Sequence, residues 1–586
     1  MKHLSELMVL VLGCGASGLA MARWCGRCGA TGVRVWDSRE EPPKLSELRE
    51  ALPQVEFVSG VVDAGSLLEG IGLVLKSPGL SPNDERIARL LNEAQDRGLL
   101  VQGELDLFNR ALAGLKAERG YKPKVLAITG TNGKTTTTSL TALLVERAGK
   151  RVATAGNIGP TMLDTLGDLL DEEGVESRAP SPQPDSLESS PAQEARQECA
   201  APSTDELLPL PLAGQRLRCG GGSCRDSDAM PEPTGRGEGP SERVADDAQS
   251  LPSKPPTFEH LPDVWVLELS SFQLDEVKGF DPSASTVLNI TQDHLDWHGD
   301  MAAYRAAKAR IFGPHTIMVI NRDDPLVEAM VPKPTPTKGA KGRPAKAIER
   351  KVIRFGLDAP RLPGDFGLVV ESGMAWLVRA LEDDEPAGRR KGEEHELHLQ
   401  RLMPADALRI RGRHNASNAM AALALATAIG CPLAPMLHGL REYTGEPHRV
   451  EYIGTLDGIE VFDDSKGTNV GATVAALDGL GADKAPSKLV VILGGDGKGQ
   501  DFSPLAPAVA RHARAVALIG RDADSILTAL SGASIPMQRH ESLEAATPSG
   551  SRRRSPAPAC RCSATPRCRP PPAGASSRPG RAMRCC

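Results

Sequence analysis

No run in this 586-residue chain approaches the about 18–20 consecutive apolar residues of a membrane-spanning helix, so no membrane span is expected. A basic stretch with interleaved aromatics is missing too, and the formal net charge of −6 argues against a nucleic-acid partner. Small anionic substrates stay open, because a nucleotide site needs only local positive charge and Mg²⁺. Nor is there a disulfide framework: the 12 cysteines are irregularly spaced and five of them crowd the last 27 residues, as expected of a reducing, cytoplasmic compartment. The thioredoxin-like WCGRC at 24–28 lies well inside the helix that follows Gly18, so its cysteines are expected to be inert. The N-terminus does not fit a secretory signal, since Glu6 interrupts the approach and the apolar core is only residues 7–12.

Aromatic residues are absent from 171 to 257, a stretch rich in Pro, Ser, Glu and Gly. It cannot bury enough apolar surface to offset its ordering entropy, and is expected to be a disordered insertion over about 171–262. A smaller polar insertion is expected at 333–351. Residues 547–586 contain no Asp, Glu, Lys, Leu, Ile, Val or Phe but nine Arg, eight Pro and five Cys. Such a tail has nothing to pack and is expected to be disordered. Its residues are those that GC-rich codons supply, which points to a reading-frame slip, with a natural basic tail as the alternative.

What is present is strand and helix alternation in three blocks, which a length beyond one core also requires. The expected fold class is α/β with three domains. They are a Rossmann-like N-terminal domain (1–119), a central P-loop-type ATP-binding domain (120–440) and a C-terminal Rossmann-like domain (441–546). The first opens with an apolar strand and G-x-G-x-x-G at Gly13, Gly15 and Gly18, then a strand ending at Asp37. Taken alone, this fingerprint suggests NAD. Another strand ends in the turn Ser77, Pro78, Gly79, expected at the same carboxyl edge of the sheet. The second block carries KVLAITGTNGKTTTT (124–138). Gly130 and Gly133 leave backbone N–H groups for phosphate oxygens, Lys134 reaches the β and γ phosphates, and Thr135 offers a hydroxyl to Mg²⁺. The match to the standard phosphate loop is incomplete, since Ile128 stands where a glycine is wanted, and a plain Gly-Asn turn is the bland alternative. Glu268 ends an apolar strand where a carboxylate suits Mg²⁺, and His294 ends the next, where it suits a second cation. Lys308 falls on a helix, and RGRHNASNAM opens another with His414, Asn415 and Asn418.

Together GTNGKTT (130–136), GNIG (156–159), ELSSFQL (268–274), DH (293–294), YRAAK (304–308), GRHNASN (412–418), TGEPHR (444–449), DDSKGTN (463–469) and GGDGKG (494–499) resemble the Mur ligases. These are ATP-dependent, amide-forming enzymes of peptidoglycan precursor synthesis. The compact first domain and ELSSFQL point to the branch that adds D-glutamate. The resemblance implies that Gly130, Thr131, Asn132, Gly133, Lys134, Thr135 and Thr136 hold ATP phosphates, with Asn415, Asn418, Arg449 and Asp464 also on the ATP side. It implies two Mg²⁺ ions, one at Thr135 and Glu268 and one at His294 and a carbamylated Lys308. UDP-N-acetylmuramoyl-L-alanine would rest on Gly15, Ala16, Ser17, Asp37, Ser38, Arg39 and Gly79 and reach Asn157 and Ser270. Thr444 and Lys466 would engage D-glutamate. The implied protein is a monomer. The family's closing segment, whose serine and phenylalanine help bind D-glutamate, has no match here, so an inactive copy that binds nucleotide only is one alternative. A folylpolyglutamate-synthase-like ligase is another, though it lacks a nucleotide-sugar domain; an NAD-dependent dehydrogenase leaves the second block unexplained.

Overall fold

The computed structural model describes residues 4–174, 257–275, 277–336, 347–348, 350–382, 397–483, 485–497, 499–546 and 583–585. The first five strands are β1 (Met8–Leu12), β2 (Gly32–Asp37), β3 (Glu56–Ser59), β4 (Leu73–Lys76) and β5 (Leu100–Gln102). They form one parallel sheet in the order β3-β2-β1-β4-β5. The apolar run of β1 suits a central strand covered on both faces, and Val9 to Leu12 are fully buried. Strand order reverses between β1 and β4, the crevice where such sheets bind ligands.

The second sheet contains β6 (Lys124–Thr129), β7 (Val152–Gly156), β8 (Val264–Glu268), β9 (Ala284–Val287), β10 (Ile317–Asn321) and the strand Val352–Phe355. Its order is Val352–Phe355, β10, β9, β6, β8, β7, all parallel. Glu268 pairs with Ile128 and Gly156 in register, so the phosphate turn, the carboxylate and the GNIG loop leave the sheet side by side. A three-stranded antiparallel sheet (Phe366–Glu371, Met374–Leu381, His398–Pro404) and the buried, alanine-rich helix Arg413–Ala428 complete this domain. The helix Leu433–Glu442 also packs in its core, through Met436 and Leu440.

One apolar core runs from the first domain into the second, joining Leu105 and Phe108 to Met162, Leu166 and Trp265. Phe108 meets Trp265 edge-on with ring centroids 5.0 Å apart.

The expected insertion is narrower than its composition suggests. The helix Met162–Glu172 runs into its start, and Glu173 accepts the N–H groups of Glu259, His260 and Leu261 at its end. Residues 175–256 lie outside the described residues. Within the smaller insertion, Thr335–Pro336 and Ala347–Ile348 pair as a short antiparallel ladder, and 337–346 lie outside the described residues.

The C-terminal sheet has the order Glu451–Leu456, Ile459–Asp463, Met583–Cys585, Leu489–Gly494, Ala513–Ile519, Met537–Arg539, parallel beyond its first pair. The strand Met583–Cys585 corrects the expectation that all of 547–586 is without structure. Two strands that do not pair with each other leave a row of backbone donors and acceptors on each side, and three residues of any extended sequence satisfy both rows. Residues 547–582 lie outside the described residues.

Candidate active site

At the switch point of the first sheet, Gly13 takes a φ of +89°, and any Cβ on Gly18 would collide with the Gly13 carbonyl. Both glycines are therefore required for the helix Ala16–Arg27 to start this close to β1. Gly15 is its N-cap, so Ala16 and Ser17 stand in its first turn. Asp37 accepts the Cys14 N–H at 2.8 Å and the Arg39 N–H at 3.0 Å, and pairs with the Arg39 guanidinium at 2.9 Å. Burial alone would raise the Asp37 carboxyl, yet these bonds hold it below its ordinary value. Asp37 thus locks the turn and aims Arg39, while Ser38, Arg39 and Gly79 are exposed at the crevice. Burial pushes Cys25 up to about 12 and Cys28 up to about 11, so neither is a thiolate near neutral pH.

In the second domain Gly130 and Gly133 have φ of +153° and +83°. A Cβ on Gly133 would lie 2.6 Å from Asn418 Oδ1, which puts the turn against the helix Arg413–Ala428. The N–H groups of Thr131 and Asn132 are already committed, to the Asn289 carbonyl at 2.9 Å and to Asn289 Oδ1 at 2.8 Å. The first N–H groups of the helix Lys134–Arg147, which starts at Gly133, have no intrahelical acceptor and suit an anion.

Two lysine amines converge on one oxygen. Lys134 Nζ donates to the Gly130 carbonyl at 3.0 Å and Lys308 Nζ to the same carbonyl at 2.9 Å. Lys308 comes from the helix Met301–Ala309, is 1 % exposed, and lies 4.7 Å from the Tyr304 ring centroid. Burial, then the charge of Lys134, push the Lys308 amine well below its ordinary range; burial also lowers Lys134, opposed by Glu268 and Asp293. Glu268, 1 % exposed, accepts from Asn157 Nδ2 at 3.0 Å, and the Asn157 N–H donates to the Glu268 carbonyl at 2.8 Å. Gly156 must be glycine, because a Cβ there would strike that carbonyl.

His294 caps the short helix Leu295–His298 with a φ of +52° and packs its ring 4.7 Å from Phe272. Burial lowers its pKa despite Asp293, leaving a neutral imidazole suited to metal ligation. Ser270 is an N-cap whose hydroxyl bonds Gln273 in a capping box, so it orders the loop behind Phe272.

The third domain closes on the turn. Asn469 and Asn132 exchange amide bonds at 2.9 and 3.2 Å, and an Arg449 Nη donates to Thr135 Oγ1 at 2.9 Å. A cavity of about 300 Å³ lies between them, lined among others by Gly133, Thr136, Asn415, Asn418, Asp464 and Lys466. Burial raises Asp464 to about 6, against the pull of the Val450 N–H and Arg449. Thr444 instead lines an adjoining cavity of about 190 Å³ with Arg409 and Arg411, which Lys466 does not reach. The two residues assigned to D-glutamate are therefore not brought into one cavity. Sequence reasoning missed Asn289 and Asn469 as the braces of the turn. For Asn469 a signal existed, since it ends the DDSKGTN motif.

The domain families that match are the Mur ligase MurD-like N-terminal domain (residues 7–101), the Mur ligase middle domain (128–176 and 241–358) and the Mur ligase glutamate ligase domain (448–550). A protein of Albidiferax ferrireducens named UDP-N-acetylmuramoylalanine--D-glutamate ligase is 51% identical over 548 residues, 93% of this chain and 88% of that one. A Burkholderia mallei protein of the same name is 49% identical over 549 residues, 92% of this chain and 88% of the other. Among solved structures, the UDP-N-acetylmuramate-alanine ligase MurC of Thermotoga maritima aligns with a TM-score of 0.44 and 18% identity, covering 92% of this chain and 91% of that one.

Proposed function

The chain belongs to the Mur ligase family, and from that premise we propose that it joins D-glutamate to UDP-N-acetylmuramoyl-L-alanine with cleavage of ATP, in peptidoglycan precursor synthesis. The observation that supports this most directly is the pair of lysine amines on the Gly130 carbonyl, beside Glu268 and the phosphate turn. A free carboxylate is too poor an electrophile for an amine, so it is first phosphorylated. The terminal carboxylate oxygen of the nucleotide sugar attacks the γ-phosphorus, the bond to the β,γ-bridging oxygen breaks, and ADP leaves. The amine of D-glutamate, in its unprotonated form, adds to the acyl carbon; the tetrahedral adduct expels phosphate and leaves the amide.

Lys134 leaves the loop carbonyls for the β and γ phosphates and offsets charge there as it builds up. Asn415, Asn418, Arg449 and Asp464 hold the nucleotide; D-glutamate would lie where the two cavities meet at Asn415 and Arg449, with Lys466 on one side and Thr444 on the other. Ser17, Arg39 and Gly79 receive the uridine diphosphate. Asn157 meets the sugar end.

The donor set fits two Mg²⁺ ions on one condition. Two neighbouring ammonium groups would repel a dication, so Lys308 must lose its charge. The depressed amine is the form that reacts with carbon dioxide, and the resulting carbamate would be an oxygen ligand. Thr135 and Glu268 would hold one ion, His294 and Lys308 the other. Bound there, Mg²⁺ supplies charge neutralisation among the phosphate oxygens. Among the described residues no helix is long and apolar enough to cross a membrane, and we place the reaction in the cytoplasm, where ATP is available.

Hydroxylamine in place of D-glutamate tests the phosphorylated intermediate. With ATP, Mg²⁺ and UDP-N-acetylmuramoyl-L-alanine, the expected product is the hydroxamate, formed in step with ADP. ADP release without hydroxamate would contradict an acyl phosphate.

A further inference from the structure

Glu104 is the first residue of the helix Glu104–Arg119, yet it is only 2 % exposed. It belongs to the first domain and its partners lie on both sides of the interface with the second. Its Oε1 accepts the Leu163 N–H at 3.2 Å, and the Met162 N–H and the Ser17 hydroxyl also donate to the carboxylate. Met162 and Leu163 are the first two residues of the helix Met162–Glu172, whose N-cap Thr161 serves only the Asp164 N–H. Glu104 therefore supplies, from another domain, the acceptor that the first turn of this helix lacks. Ser17 stands in the first turn of the helix after the glycine fingerprint. Three helix N-termini, those at Ala16, Glu104 and Met162, meet at one carboxylate.

What lies beyond each end gives the arrangement its use. On one side is the turn assigned to the uridine diphosphate. On the other, Met162 follows the GNIG loop by three residues, and that loop is fixed by the Gly156 N–H to the Pro160 carbonyl at 3.1 Å. Asn157 of the same loop holds Glu268. A substrate that touches both Ser17 and Asn157 must span an interface, and its fit depends on the separation of the two turns being fixed to a fraction of an ångström. Ion pairs between the helices Ala16–Arg27 and Met162–Glu172, Arg23 to Asp164 at 3.7 Å and Arg27 to Asp171 at 2.7 Å, are more exposed.

We propose that Glu104 is a positioning residue that ties the diphosphate-binding turn at Ser17 to the GNIG loop, setting the span into which the nucleotide sugar fits. The inference rests on the proposed ligase function. Its test uses the full chain and two variants. Glu104→Gln keeps an acceptor for the Leu163 N–H and offers Ser17 an amide donor in place of an acceptor, so the bridge survives. Glu104→Ala removes it.

Titration calorimetry with UDP-N-acetylmuramoyl-L-alanine and, separately, with ATP and Mg²⁺ reads the effect. E104A is expected to weaken nucleotide-sugar binding at least about tenfold, with ATP binding unchanged within twofold, and E104Q to remain within about threefold of the parent. A purely structural role would lower the melting temperature and the active fraction of E104A while leaving both affinities of the folded fraction alone, and that result overturns the proposal. So does equal weakening toward both ligands. No binding of the nucleotide sugar by the parent chain would contradict the assigned substrate and this inference together, whereas binding that E104A leaves intact contradicts the inference alone.

Discussion

Lys134 and Lys308 share a carbonyl oxygen, yet the proposed function gives them different parts. Lys134 is expected to act as a cation on phosphate, so K134A should lower kcat by about 10²–10³, the range for removing one preorganised stabilising donor. K308A removes the ligand proposed for the second Mg²⁺ and should lower ADP release at least as far. If Lys308 acts as its carbamate, a small carboxylate such as acetate should restore part of the K308A rate and none of the K134A rate. Both lysines are legible in the sequence because the motifs GTNGKTT and YRAAK surround them. Glu104 is not. A glutamate that opens an apolar helix reads as an exposed first-turn residue favoured by the helix dipole, and only contact with Ser17 and with a helix some 60 residues away in sequence buries it. Burial raises its pKa to about 7 from an ordinary 4.5, against three hydrogen bonds that lower it, with Asp164 the charged neighbour that adds to the rise. Since the folded state holds this proton more tightly, the stability it contributes is fully present below the unfolded value and is lost as pH rises toward 7. The shift corresponds to about 3 kcal/mol. Urea unfolding of the parent and E104Q at pH 5 and pH 8 should show the parent losing more stability between the two, by an amount of that order.

At the scale of elements, the turns are more legible than the sheets. The strands β1, β6 and β8 announce themselves as apolar runs closed by Gly or a carboxylate, and the site falls at their carboxyl ends. Strand order, by contrast, is a set of long-range pairings. Nothing local in Val264–Glu268 says that it lies between β6 and β7. The Phe366–Pro404 antiparallel sheet escapes a sequence reading for a related reason: its last two strands carry polar residues, Arg379 in one and Gln400 and Arg401 in the other, and a polar stretch separates them. Composition also overstates the insertion, because the Glu173 carboxylate accepts the N–H groups of residues 259–261, which polar sequence does not reveal. The turn at Gly133 gives a clean test. G133A forces a side chain into a left-handed backbone and against Asn418. It should cost about 1–2 kcal/mol from the backbone alone and weaken ATP binding, read by thermal melting and by ATP titration of the same sample.

For the whole molecule, each of the three blocks of the sequence is built around one large sheet, and the first two share an apolar cluster while the third has its own. Independent cores suit the proposed turnover, in which the third domain opens to admit ATP, and the Asn132 to Asn469 and Arg449 to Thr135 bonds are among the contacts that opening would break. The match to the glutamate ligase domain stops at residue 550, about where the composition changes. The tail nevertheless supplies Met583–Cys585 to the middle of the third sheet. Deleting 583–586 strips the strands Ile459–Asp463 and Leu489–Gly494 of a shared partner, and should make the third domain exchange amide hydrogen faster while the first two are unchanged. Exchanging 547–586 for the matching end of the Albidiferax ferrireducens relative should lower KM for D-glutamate and leave KM for ATP alone. The most direct test of the whole account is ADP release by the full chain with ATP and Mg²⁺, adding UDP-N-acetylmuramoyl-L-alanine and D-glutamate singly and together. Sustained release only when both are present, in equal amount to the new amide, is the predicted result; release that ignores either substrate, or none with all of them, would contradict it.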